Sequence, residues 1–331
     1  MRFLGNYQNL EKLKLIINEI VSKYRNIINK SLSQIYLNGP KSLTKPINYV
    51  LNAEGKRLRP LLTIFSAEAC GAKIDDVLNS ALAIEVLHNF TLVHDDIMDQ
   101  DQLRHGKITV HKKWDDGIAI LTGDAMLSLA LKLINKSPIN NINIQLFIDG
   151  LLAVCEGQAI DKEFESKTQV MLDDYIKMID LKTGYMIGLS SHIGATTAGV
   201  DENTSKAIRD FGRLIGRAFQ IQDDLLEIFS NTDKMGKSLK SDILLGKKTY
   251  LMIKAIEKDS KIINEIINLT KEDYNLGINK VREFMVYEGI KEHTLNEINN
   301  IIMLADSKID NLDINKDMLR YFSSLIKERG Y

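Results

Sequence analysis

Cysteine and proline are scarce in this 331-residue chain, and their scarcity narrows what it can be. The two cysteines, Cys70 and Cys155, lie far apart, each in an apolar stretch. They supply neither a disulfide framework nor a zinc-ligand spacing, so free, buried thiols in a reduced, cytoplasmic compartment are expected. The four prolines, Pro40, Pro46, Pro60 and Pro138, all fall in the first half. Helix interiors exclude proline, so the long proline-free stretches rich in Leu, Ile, Ala, Lys and Glu favour helices. Neither charge sign dominates: 43 basic residues stand against 44 acidic ones, and no global field draws the chain to nucleic acid or anionic lipid. Any attraction for an anionic ligand must come from local clusters. No apolar run approaches the ~20 residues needed to cross a bilayer, and the first residues lack the apolar core of a signal peptide. No stable membrane anchor is therefore expected.

Helical periodicity is plentiful. Leu10, Leu13, Ile17, Ile20, Tyr24 and Ile27 recur at steps of three and four, the spacing of one amphipathic helix. Stretches 77–94, 118–134, 142–165, 172–198, 203–229 and 280–325 read the same way, and no series of alternating, β-branched segments predicts a sheet. Loops are expected at Asn38-Gly39-Pro40, at 55–60, and over 231–246, which is polar and rich in Lys and Asp. No shift of composition marks a linker, and the region beyond residue 255 carries no chemical motif. Residues 1–331 are expected to form one all-α domain, a helical bundle around a central cavity.

Two acidic motifs carry the chemistry. Asp95-Asp96-x-x-Asp99 ends a strongly apolar stretch that starts at Ala81. A continuing helix puts Asp95 and Asp99 on one face, with Cβ atoms ~5–6 Å apart. At about 5 Å and an effective dielectric near 20, two such charges repel by roughly 3 kcal/mol. A cation removes that penalty. Mg²⁺ suits the pair because it takes one or two carboxylates and fills its other sites with water and phosphate oxygens. Asp223-Asp224-x-x-Glu227 repeats the arrangement about 130 residues later, again at the end of an apolar stretch. One such cluster is as readily a solvated helix end; two facing each other across a bundle make a metal site for a phosphorylated ligand.

Basic clusters complement them. Lys56, Arg57 and Arg59 lie in a glycine-opened loop, where arginine grips phosphate through a planar fork and lysine acts as a point charge. Arg104 and Lys107 follow the first acidic motif; Lys237, Lys247 and Lys248 follow the second. A solvated face remains the simpler reading for Lys107 and Lys248, whereas Lys56 and Arg59 adjoin a buried helix. His88 stands two turns before Asp95 on the same stripe, where a satisfied core histidine is the commoner outcome. Lys182-Thr183-Gly184 falls in an apolar segment, where a buried ammonium needs an anion.

Taken in order, these motifs resemble the trans-isoprenyl diphosphate synthases of the polyprenyl synthetase family, particularly the archaeal farnesyl/geranylgeranyl type. The matching residues run from Gly55-Lys56-Arg57-Leu58-Arg59-Pro60, through Leu87-His88 to Asp95-Asp96 and Arg104-His105-Gly106. They continue with Gly157-Gln158-Ala159-Ile160-Asp161, Lys182-Thr183-Gly184, Phe219-Gln220-Ile221-Gln222-Asp223-Asp224, Gly236-Lys237, Asp242 and Gly246-Lys247-Lys248-Thr249. The resemblance implies condensation of isopentenyl diphosphate with an allylic diphosphate (dimethylallyl, geranyl or farnesyl). Lys56, Arg59 and His88 would hold the first diphosphate. Asp95, Asp99 and Asp223, with Asp96 and Asp224, would bind Mg²⁺ against the second. Arg104, Lys182, Lys237 and Lys247 would add positive charge to that leaving group, and Thr183 and Gln220 would lie near the developing cation. Family members of this kind are usually homodimers.

This chain departs from the family pattern at two positions. His105 stands where the family usually has a second arginine, which implies weaker or pH-dependent affinity for isopentenyl diphosphate. Glu227 replaces an aspartate and is an uncertain ligand. Phe90, five residues before Asp95, would sit ~7.5 Å up the helix. In similar enzymes an aromatic there floors the growing chain and goes with a geranylgeranyl product. A second aromatic beside it would favour farnesyl, but Thr91 is small, and a farnesyl or longer polyprenyl product is the alternative. A terpene cyclase would have no use for Lys56, Arg59 and His88, since it holds no second diphosphate. A non-catalytic regulatory subunit would have no use for intact acidic motifs.

Overall fold

The computed structural model describes residues 2–104, 106–230 and 247–328. α1 (Arg2–Leu32), α2 (Lys41–Leu51), α3 (Leu58–Ala69) and α4 (Ile74–Met98) lead into a short antiparallel hairpin, β1 (Leu103–Arg104) and β2 (Lys107–Ile108). α5 (Val110–Lys113), α6 (Asp116–Ile134), α7 (Asn140–Ser166) and α8 (Leu172–Ile179) follow. α8 then runs through a π turn (Asp180–Gly184) into α9 (Tyr185–Thr197), and α10 (Glu202–Phe229) comes next. The remainder is α11 (Tyr250–Lys258), α12 (Ser260–Glu272), α13 (Tyr274–Tyr287), α14 (Ile290–Ile309) and α15 (Asp317–Lys327). The all-α bundle expected from the sequence is present, and the two-residue strands are the only sheet among the described residues.

A helix that is apolar on every side must lie inside the bundle rather than on it. α3, α4 and α9 meet that description: residues 60–67, 80–87 and 186–191 are buried without a break. α9 packs on α3 and α10, α4 on α3 and α6, and α10 on α14; Asp96 and Asp224 stay buried, while Asp95, Asp99 and Asp223 are half-buried. Close approach needs small residues. A Cβ on Gly194 of α9 would overlap the backbone oxygen of Thr63 and stand 2.8 Å from the Ser66 Cβ on α3. The outer helices start on polar caps instead: Asp115, Asp201, Asp259 and Asp273 each accept a hydrogen bond from first-turn N–H groups, which would otherwise be unpaired.

Several expectations need correcting. The 280–325 stretch divides into three helices because Gly289 takes a left-handed conformation (φ 69°) and residues 310–316 interrupt the helix. The expected 55–60 loop stops early, since α3 begins at Leu58 with Pro60 in its first turn, where a missing N–H costs nothing. Pro46 lies inside α2, forfeiting one bond of a short helix. Cys155 is exposed rather than buried. It shares a face of α7 with Ile148 and Leu152, which are 45% and 58% exposed, so the apolar surroundings that predicted burial belong to an uncovered face. α6 is 19 residues long and, by length and composition alone, apolar enough to cross a membrane. In this fold it lies against α4, with Ile120, Leu121 and Leu131 turned outward.

Candidate active site

The end of α4 sorts its three aspartates by partner. Asp96 is buried, accepting a 2.7 Å hydrogen bond from Arg104 Nε, while Arg104 Nη2 also reaches Asp101. The β1–β2 hairpin returns Arg104 to the helix it has just left; Gly106, at φ 74°, supplies a left-handed residue beside the turn. Asp99 caps α4 and has two lysines at long range, Lys162 Nζ at 3.7 Å and Lys247 Nζ at 3.6 Å. Burial pushes the Asp95 carboxyl up from its ordinary range. The Lys182 and Arg104 charges oppose that shift, and Asp99 and Asp161 add to it. Desolvation is therefore the main cost of ionising Asp95, and Lys182 is the charge that most offsets it.

The second motif is sorted in the same way. Asp224 is buried and held by Tyr175 Oη, the Tyr250 backbone N–H at 2.9 Å and Gln220 Nε2 at 3.1 Å. Burial raises its carboxyl to about 6 even so. Gln220 Oε1 accepts from Thr183 Oγ1 at 3.0 Å, which links α10 to the π turn. Lys182, next along that turn, donates to Asp161 of α7 at 2.7 Å. α7 comes this close because Gly157 has no side chain: a Cβ there would stand 2.5 Å from the Lys182 nitrogen. A π turn inserts an extra residue into a helix and is often found where a helix must present side chains for function.

The basic residues lie within reach of the second motif, since the Asp223 charge acts on Arg59. Arg59 is half-buried in the first turn of α3, with Nη1 3.1 Å from His88 Nε2 on α4, and its Nε is buried without a partner. Burial lowers its guanidinium to about 10, although Glu85 on α4 and Asp223 on α10 both favour the charge. Arg59 thus ties the two acidic helices to one space. Lys56 is exposed and borders a cavity of about 250 Å³ walled by apolar residues of α3, α10 and α15. Phe90 is buried to 9% exposure, edge-on to the His94 ring at 4.8 Å.

A polyprenyl synthetase family model matches residues 40–285. The chain belongs to the polyprenyl synthetase family. A geranylgeranyl pyrophosphate synthase from Geoglobus acetivorans is 41% identical over 248 residues, 73% of this chain and 77% of that protein. A geranylgeranyl diphosphate synthase from Saccharolobus solfataricus is 34% identical over 314 residues, 91% of each chain. The crystal structure of a geranylgeranyl pyrophosphate synthetase from Pyrococcus horikoshii Ot3 superposes with a TM-score of 0.89. It is 30% identical, and the match covers 96% of this chain and 99% of that one.

Of the residues expected from the sequence, the structure brings Arg59 against His88, Arg104 against Asp96, Lys247 near Asp99, and Thr183 through Gln220 to Asp224. His105, Lys237, Asp242 and the 231–246 loop lie outside the described residues. Among the described residues no three His, Cys, Asp or Glu side chains gather closely enough to bind a metal unaided. Mg²⁺ needs only one or two carboxylates when phosphate oxygens complete its octahedron. Asp95 and Asp99 share one helix face as such an ion would require, whereas the carboxylates of Asp96 and Asp224 are buried and accept hydrogen bonds from Arg104 and from the Tyr250 backbone. Sequence reasoning missed Tyr175 and Tyr250, which hold Asp224, and Asp161, which holds Lys182. Asp161 closes a quoted motif and was the one readable signal; the tyrosines lie 49 residues before and 26 after their partner. Arg57, in the same basic loop as Lys56 and Arg59, turns inward and is 6% exposed.

Proposed function

We propose that this chain is a short-chain trans-prenyltransferase that condenses isopentenyl diphosphate with an allylic diphosphate, yielding geranylgeranyl diphosphate. One observation carries the reading: the site has two anion-binding halves of different chemistry. Asp95 lies with Asp99 and Asp161 beside Lys182 and Arg104, its carboxyl raised by burial; Arg59 stands against His88 with its Nε buried and without a partner. A cyclase or a hydrolase of one diphosphate needs only the first half.

On this reading Asp95, Asp99 and Asp223 hold Mg²⁺, which neutralises charge on the departing pyrophosphate. Lys182, Lys247 and Arg104 add fixed positive charge along the same leaving group, preorganised by their carboxylate partners. Lys237 is assigned to the same task from the resemblance alone. Thr183 and Gln220, hydrogen-bonded to each other, present oxygens beside the allylic carbon as its C–O bond breaks. Lys56, Arg59 and His88 anchor isopentenyl diphosphate so that its terminal alkene carbon faces that cation. A C–C bond forms, and a proton then leaves the adjacent carbon to the released pyrophosphate, giving the new trans double bond. The apolar walls of α3, α4 and α9 exclude water that would quench the cation.

The geranylgeranyl product is supported by the names of similar proteins and by Phe90, buried five residues before Asp95. A homodimer is supported by the uncovered apolar faces of α6 and α7, since such patches mark association surfaces. Free thiols at Cys70 and Cys155 agree with a reduced, cytosolic setting. The test is incubation with isopentenyl diphosphate plus dimethylallyl, geranyl or farnesyl diphosphate and Mg²⁺, followed by chromatography of the products. A C20 product from each primer is expected. Primer hydrolysis or cyclisation without elongation refutes the reading.

A further inference from the structure

Arg57 is one of two non-glycine residues with positive φ among the described residues, at φ 53° and ψ 39°, immediately before α3. An L side chain there crowds its own backbone, so such residues persist only when their surroundings impose them. Glycine is the usual remedy, and Gly55 stands two residues away with no left-handed φ of its own. The chain therefore places an arginine where the backbone favours a glycine, and the contacts show what holds it there.

The guanidinium is fully engaged inside the protein. Nε donates to Asn29 Oδ1 on α1 at 2.9 Å, Nη1 to Glu85 Oε1 on α4 at 2.7 Å, and Nη2 to the Leu51 and Ala53 carbonyls at the end of α2 at 2.9 and 2.7 Å. Arg57 cannot reach a ligand in this arrangement. Its neighbours can: Lys56 precedes it and is exposed, and Arg59 follows two residues later against His88. Glu85 lies one turn before His88 on α4, and Asn89 holds it from the same helix at 3.3 Å. The Arg57–Glu85 ion pair thus ties the loop bearing Lys56 and Arg59 to the stretch of α4 bearing His88. With Arg57 turned inward through the left-handed conformation, Lys56 is left exposed and Arg59 lies against His88.

We propose that Arg57, through Glu85, is a positioning residue that sets the spacing of Lys56, Arg59 and His88 for the diphosphate of isopentenyl diphosphate. This rests on the assignment of those three residues to that substrate. Arg57→Gly relaxes the backbone and removes every tie; Arg57→Lys keeps a charge for Glu85 but loses the fork; Arg59→Ala tests the assignment itself. Michaelis constants for isopentenyl diphosphate and for the allylic primer are measured separately, alongside thermal unfolding. Arg57→Gly is expected to raise the constant for isopentenyl diphosphate at least tenfold and leave that for the primer within twofold, with Arg57→Lys intermediate. In the Arg57→Gly/Arg59→Ala double variant the penalty is expected to be less than the product of the two single ones, because both act through one contact set. If Arg57→Gly yields no folded protein, Arg57→Lys and Glu85→Gln carry the same comparison. An unchanged constant for isopentenyl diphosphate, or equal changes for both substrates, overturns the proposal while Arg59→Ala still weakens isopentenyl diphosphate. If Arg59→Ala has no such effect, the assignment fails and the positioning role falls with it.

Discussion

Asp180→Asn tests how the π turn is held. Asp180 opens that turn, is 7% exposed, and receives two arginines from α10. Arg217 Nε donates at 2.7 Å, and Arg213 donates through both Nε and Nη2. Burial alone pushes the carboxyl up, but hydrogen bonds and charge from Arg217 and Arg213 outweigh it and leave it below its ordinary range. Removing one partner of a buried ion pair costs about 3–5 kcal/mol. The arginine side chains are 28% and 31% exposed and regain hydration, which reduces the expected loss to about 2 kcal/mol. At roughly 2–3 °C per kcal/mol for a chain of this size, the unfolding midpoint should fall by ~5 °C. The sign with pH follows from the depressed carboxyl: its stabilisation is complete above the unfolded-state value near ~4 and lost as pH falls through the folded one. Scanning calorimetry of both proteins from neutral to acid should therefore show a constant gap that closes below about pH 4. Lys182 and Thr183 lie two and three residues on, so turnover should fall with the midpoint. A midpoint unchanged at neutral pH, or a gap that persists in acid, refutes this account.

Four further outcomes are expected. Asp95→Asn should abolish condensation yet raise the unfolding midpoint in EDTA, because burial and like charges already disfavour the Asp95 carboxylate; product formation and calorimetry check both halves. Phe90→Ala should lengthen the product distribution seen by chromatography, since it removes a ring buried five residues before Asp95. Gly194→Ala should lower stability in denaturant titration by about 2–3 kcal/mol, the cost of forcing a Cβ onto the Thr63 carbonyl in a packed core. Burial, aided by Arg209, lowers His192 to about 4, so stability should rise with pH between about 4 and 6.5 as the unfolded state gives up its proton. His192→Gln should flatten that rise.

The bundle was legible because helical periodicity is a local property, and α4, α6, α7 and α10 fall within a few residues of the stretches read from sequence. The pairing of Asp95 with Asp99 was legible for a related reason: residues four apart on a helix share one face. What sequence could not provide is the direction in which a residue turns. Asp95 and Asp96 are adjacent and chemically identical, but one faces the site and the other faces Arg104. Arg57 reads like Arg59 until its left-handed backbone sends it into the core. Tyr175 and Tyr250 become visible only when α8 and α11 meet at Asp224, a tertiary contact with no local signature. Cys155 was misjudged because an apolar stretch does not say whether a partner covers it.

The pairing of charges bears on how the site receives its ligands. Each described cation assigned to the leaving group already has a carboxylate: Arg104 has Asp96, Lys182 has Asp161 and Lys247 has Asp99. Binding a metal–diphosphate is then an exchange of partners rather than the burial of new charge, which keeps its desolvation cost small. The exchanges differ in difficulty. Arg104 and Lys182 contact their partners at hydrogen-bonding distance, whereas Lys247 and Lys162 stand 3.6 and 3.7 Å from Asp99 on partly exposed side chains. Ion pairs of that length are worth about 0–1 kcal/mol. On the proposed reading Asp99, held at longer range by its lysines than Asp96 is by Arg104, is the readier of the two to turn to a metal, with Lys247 then meeting a phosphate oxygen. Replacing Lys247 with methionine should therefore weaken allylic diphosphate binding while Mg²⁺ affinity holds or rises. Removing Lys182 should instead strand Asp161 beside Asp95 and weaken catalysis through both.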